Sequence, residues 1–190
     1  MPKYLYLSKP EWTTAWVLGG TVPIALASTY KSHIREGILT PDENLIHRST
    51  VDIASLSASG YHFENVKGLT FEGNSYNGEL LPNTVDADYY VDDGLILSFS
   101  NRKSNSLCTR LGKAACVVIE DIEGLKVCLD QQIGTKGIAG NCAYTADHQR
   151  NHFLKSIEDE WQQEYRMFWP ATASRKVNIP SETARRIKVR

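Results

Sequence analysis

Cysteine is scarce in this chain, and its spacing excludes the chemistry it most often signals. Cys108, Cys116, Cys128 and Cys142 follow one another at intervals of 8, 12 and 14 residues. No Cys-x-x-Cys pair and no clustered histidine completes a zinc site, so no metal is expected. The thiols are read as buried and reduced, without a disulfide framework, which agrees with a reducing compartment. Long apolar runs are missing as well: none approaches the roughly 20 residues of a membrane helix. Met1 to Lys9 has neither the basic start nor the apolar middle of a signal peptide. A cytoplasmic protein without membrane contact is expected. What remains, 190 residues at 42% hydrophobic and 23% charged content, suffices for one well-filled core.

Acidic residues are nearly absent from the C-terminal end. From Ala171 onward there are six basic residues (Arg175, Lys176, Arg185, Arg186, Lys188, Arg190) against the single acid Glu182, which leaves +5 there and −6 in the rest of the chain. The expected organisation is a domain over 1–170 and a basic tail over 171–190. Such a tail offers a contact to an anionic partner; a solvated terminus is the simpler alternative, since no aromatic residue interleaves it as stacking on single strands requires.

Lys3 to Leu7 alternates Tyr4 and Tyr6 with Leu5 and Leu7, the period of a strand. Ser8 and Glu11 form a capping-box pattern around Pro10, so a helix is expected up to Gly19-Gly20. A second strand, Val22 to Ala27, opens into a polar stretch from Ser28 to His47, long enough to be a binding loop or lid. Short strands are expected over Tyr61 to Val66 and Leu69 to Glu72. Leu95 to Phe99 and Ala114 to Ile119 read as strands, with a short helix within Ser100 to Lys113. Glu123-Gly124 reads as a turn before a strand over Leu125 to Leu129, Gly134 to Gly140 as a loop, and Asp147 to Glu158 as a helix.

The segment FLKSIEDEWQQEYRMFW, Phe153 to Trp169, carries the strongest functional signal. In an extended strand residues i and i+2 share a face. A final strand over Trp161 to Trp169 would therefore present Gln162 and Glu164 together, flanked by Trp161, Phe168 and Trp169, as the wall of a cleft. A solvated edge strand is the plainer reading of this segment by itself.

The order of elements adds to it. Strand, helix, strand with a polar loop, a strand carrying Ser98-x-Ser100, a helix, an apolar strand and a last strand carrying a Gln/Glu-x-Glu pair resembles the mono-ADP-ribosyltransferase fold. The chain is similar to small bacterial and phage-related proteins of that group, in which a Tyr-x-Tyr strand precedes a helix and a K…W…E-x-E-x-R segment closes the domain. Lys155, Trp161, Gln162, Glu164 and Arg166 stand at those places, with Gln162 where much of the group has Glu.

The resemblance implies an α+β fold with a split β-sheet core and flanking helices, and NAD as substrate. It makes Glu164 the carboxylate that stabilises the positive charge developing on the ribose, and Gln162 the residue that positions the acceptor. Ser98 and Ser100 would brace the catalytic Glu and the cofactor. The first strand of the group offers Arg or His to the nicotinamide end; here Tyr6 would stack on it or hydrogen-bond to it. Arg35, in competition with Lys31, Arg48 and Arg102, would reach the pyrophosphate. No Gly-x-Gly-x-x-Gly follows the first strand, which argues against hydride transfer. The implied function is transfer of ADP-ribose to a nucleic acid or protein, as an intracellular toxin or anti-phage effector restrained by an antitoxin protein. NAD hydrolysis and a catalytically silent binding module are the alternatives.

Overall fold

A computed structural model describes residues 1–189. In chain order its main elements are β1 (Lys3–Leu7), α1 (Thr13–Val17), β2 (Gly20–Ile24), β3 (Leu45–Arg48), β4 (Val66–Phe71), β5 (Ser75–Tyr76), β6 (Glu79–Leu80), β7 (Thr84–Val91) and β8 (Gly94–Ser100). There follow α2 (Asn105–Arg110), β9 (Ala115–Ile119), α3 (Ile122–Ile133), β10 (Ile138–Asn141), β11 (Ala143–Thr145), β12 (Leu154–Ser156), β13 (Glu164–Pro170), β14 (Arg175–Ile179) and β15 (Arg185–Ile187). The fold is α+β and rich in strands. Among the described residues no helix is long and apolar enough to cross a membrane.

A six-stranded sheet in the order β10-β13-β8-β1-β9-β15 organises the molecule. One face carries Leu5, Leu7, Leu95, Phe99, Val117, Met167 and Trp169 into the main core, where the stripe Ile122, Leu125, Leu129 and Ile133 of α3 covers them. Trp16 of α1 and the paired strands β2 and β14 complete that layer. The opposite face carries Tyr4, Tyr6 and Cys116 beneath Leu107 and Cys108 of α2. The strand alternation of β1 therefore divides its leucines from its tyrosines across the sheet. Between β2 and β8 the chain builds a separate three-stranded sheet, β3-β7-β4, over a small cluster of Ile53, Leu56 and Ala87.

Several elements differ from the sequence expectation. The Ser8 capping box does not form: Pro10–Trp12 is a 3₁₀ turn whose N-cap is Lys9 without a side-chain cap, and Ser8 Oγ instead accepts from Lys113 Nζ at 3.0 Å. The expected turn and strand over 123–129 are the helix α3. Gly124 is tolerated in its first turn because its N–H is held by the N-cap Asp121 at 2.8 Å. Tyr61 to Val66 is mostly irregular, with Asn65 left-handed at φ 54° just before β4. The expected helix over 147–158 is a turn followed by β12. Asp147 and Asn151 bend it by accepting from the N–H groups of His148 and Phe153, at 2.7 and 2.8 Å. Nor are residues 171–189 a tail: β14 pairs with β2 and β15 with β9, and Val189 is buried against α2. Arg190 lies outside the described residues.

Close approach to glycine fixes the far edge of the sheet. Trp169 is fully buried and its Nε1 donates to Asp130 Oδ1 at 2.6 Å, while Gly137 N–H donates to the same oxygen at 3.0 Å. A Cβ on Gly137 would lie 2.6 Å from ring atoms Cδ1 and Cε2 of Trp169. Gly137→Ala is expected to lower stability by about 1–3 kcal/mol through overpacking. Urea unfolding followed by tryptophan fluorescence checks this, and an unchanged midpoint would show that the indole can move aside.

Candidate active site

The central sheet is poorly closed at one seam. β1 pairs with β9 at five positions and β13 with β8 at seven, yet β1 meets β8 only at Tyr4↔Ser100. The two halves of the sheet diverge from that contact, and a cleft of about 580 Å³ opens there. Tyr6, Ser98, Ser100, Gln162 and Glu164 all line it. Register explains part of this convergence: Glu164 stands opposite Ser100, and Ser100 opposite Tyr4, so Glu164, Ser100 and Tyr4, with Ser98 and Tyr6 two residues along their strands, share one face.

Glu164 sits at the first position of β13, buried. Its Oε1 accepts from Arg166 Nε at 2.7 Å and its Oε2 from Lys155 Nζ at 2.8 Å. Burial alone would raise the carboxyl pKa, but the charges and hydrogen bonds of Arg166 and Lys155 outweigh it and hold the group at about 2. Glu164 is thus ionised throughout the neutral range. Arg166, two residues on and on the same face, also donates from NH1 to the His152 carbonyl at 3.0 Å and from NH2 to Glu43 Oε2 at 2.9 Å. Desolvation works against its charge, yet Glu164 and Glu43 drive its pKa well above the ordinary value.

Gln162 does not share a strand face with Glu164. It ends a 3₁₀ turn over Ile157–Gln162, and Gln163 then adopts a left-handed conformation at φ 44°, so the chain turns before β13 begins. Lys155 restores the proximity by bonding Gln162 Oε1 at 2.7 Å and Glu164 Oε2 at 2.8 Å. The amide of Gln162 is engaged at both ends, since Nε2 donates to the Gly37 carbonyl at 3.3 Å. Ser100 Oγ donates to the Gln162 carbonyl at 3.0 Å, which makes it a brace for the turn that carries Gln162. Ser98 is exposed on the cleft wall.

Tyr6 holds a loop as well as lining the cleft. Its hydroxyl accepts from Ser104 N–H at 2.8 Å and donates to the Arg102 carbonyl at 3.0 Å, and burial pushes its pKa up to about 12. Arg35 lies apart from the cleft lining. Its guanidinium is spent on Asp42 at 3.1 Å, Glu158 at 2.7 Å and Asp159. The cations that do line the cleft are Lys113, Lys155 and Arg166.

Glu43 is the functional candidate that sequence reading missed. It lines the cleft, is 3% exposed, and shares Arg166 with Glu164. Among the described residues no donor reaches its second oxygen, Oε1. A buried acceptor left unpaired costs on the order of 1–3 kcal/mol. No pattern in the sequence separates Glu43 from the exposed Glu36 of the same polar stretch.

Comparison with protein-family models, curated proteins and solved structures gave no match to this chain.

Proposed function

We propose that this chain is a mono-ADP-ribosyltransferase that consumes NAD. The observation that carries the reading is the convergence of Tyr6, Ser98, Ser100 and Glu164, from three adjacent strands, on a cleft of about 580 Å³ at the seam of the sheet. Breaking the bond to nicotinamide develops positive charge on the ribose carbon, and an ionised, rigidly held carboxylate such as Glu164 stabilises that charge without reorganising. Glu43, Glu164, Lys155 and Arg166 carry two charges of each sign. The cluster is therefore neutral as a whole, and its effect on a ligand depends on which group is nearest. Glu164 faces the ribose in this reading, while Lys113, Lys155 and Arg166 supply positive charge for the pyrophosphate and the nicotinamide amide. The acceptor is a nucleic acid or a protein. An intracellular toxin or anti-phage role, with an antitoxin protein that restrains it, follows from the resemblance of the motif.

One observation favours a silent binding module instead: both oxygens of Glu164 already carry a cationic partner. Incubating the protein with NAD labelled on the adenine and measuring nicotinamide release separates the readings. Label retained by macromolecules indicates transfer, and digestion with nuclease or protease then identifies the acceptor. Free ADP-ribose indicates hydrolysis. NAD that binds and is recovered intact would leave the silent module.

A further inference from the structure

On the reading of the cleft as an NAD site, we infer that Glu43 is the general base that takes the proton from the acceptor. Arg166 bridges the two carboxylates, with Nε on Glu164 and NH2 on Glu43 Oε2, so their relative placement is set by one planar guanidinium. Glu164 has a cation on each oxygen. Gln162, where a carboxylate could have served, is an amide with no basicity, and it is engaged by Lys155 and Gly37. Glu43 alone of these groups keeps an oxygen, Oε1, that no donor among the described residues reaches. Tyr30 also lines the cleft, where burial, and after it the charges of Glu43 and Glu164, raise its pKa.

A lone pair of the acceptor's oxygen or nitrogen forms the new bond to the ribose carbon as the bond from that carbon to the nicotinamide nitrogen breaks. The bonding pair goes to the ring nitrogen and cancels its positive charge, and the acceptor's proton passes to Glu43 Oε1. A base is needed only where the acceptor atom has a proton to lose. The acceptor class is thus a hydroxyl or an N–H group, which includes water, and not a carboxylate.

Nicotinamide release from NAD in water tests this with wild type, Glu43→Gln, Glu43→Asp and Glu43→Ala. Glu43→Gln is expected to lower kcat by roughly 100-fold or more while KM for NAD changes little. Formate added to Glu43→Ala should recover part of the rate by accepting the proton in the vacated space. If Glu43→Gln does not fold, a folded Glu43→Asp with lowered kcat and unchanged KM carries the same conclusion. Wild-type kcat in Glu43→Gln, or in Glu43→Asp where Glu43→Gln does not fold, overturns the inference. So does loss of rate without formate rescue and with a lowered melting temperature, which would mark a structural role. Absence of release from the wild type, both in water and with cell extract as acceptor, would instead remove the catalytic reading on which the inference rests.

Discussion

Glu164→Gln should lower nicotinamide release by about 100-fold to 1,000-fold, the usual effect of removing one well-placed electrostatic group from a reaction centre. It should also destabilise the protein. Removal of this charge leaves Lys155 and Arg166 buried with one fewer partner, and breaking a buried ion pair from one side typically costs about 3–5 kcal/mol. The double variant Glu164→Gln with Lys155→Met removes one charge of each sign and keeps the pair between Arg166 and Glu43. Much of the stability should return while the activity stays lost. Near wild-type turnover in either folded variant would end the assignment of Glu164. The same carboxylate makes stability depend on acid. Its folded pKa, about 2, lies below its ordinary value of 4.5. Its contribution is therefore present in full above about pH 4.5 and disappears as pH falls toward 2, a loss of about 3 kcal/mol by linkage. Acid unfolding followed by tryptophan fluorescence should show this slope in the wild type and lack it in Glu164→Gln.

Arg35→Ala should act on stability and leave NAD binding nearly untouched. The Asp159 side chain is 3% exposed, and loss of Arg35 would leave it, among the described residues, with only Lys155, at 3.8 Å. Asp42 would keep Arg150, and Glu158 is exposed enough for water to replace the lost partner. The expected loss is about 2–3 kcal/mol, below the full cost of breaking a buried pair because Arg35 is itself 23% exposed. Arg48→Ala is the contrasting case. Arg48 and Asp86 are exposed while Asp88 is half-buried, and the urea midpoint of this variant should move much less than that of Arg35→Ala. A large rise in KM for NAD in folded Arg35→Ala would instead place that guanidinium on the cofactor.

Elements whose pattern is local can be recognised from the residues alone. The alternation of Lys3 to Leu7, the apolar run at Ala115–Ile119 and the strand with Ser98 and Ser100 could be read directly, because residue period alone decides which side of a sheet each side chain takes. Where one residue type serves two geometries, reading failed. Gly124 suggested a turn and lies instead within the capped first turn of a helix, and the polar run after Asp147 suggested a helix where side-chain hydrogen bonds bend the backbone. The motif singled out Glu164 and Lys155, which the fold brings into contact, although the supposed reason for Gln162, a shared strand face, gave way to a turn at Gln163. The remaining contacts arise on folding. Glu43 meets Arg166 across 123 residues of chain, and Arg35 meets Asp159 across 124. Buried charges are matched by whatever long-range pairing the folded sheet brings within reach, and no local period encodes that choice.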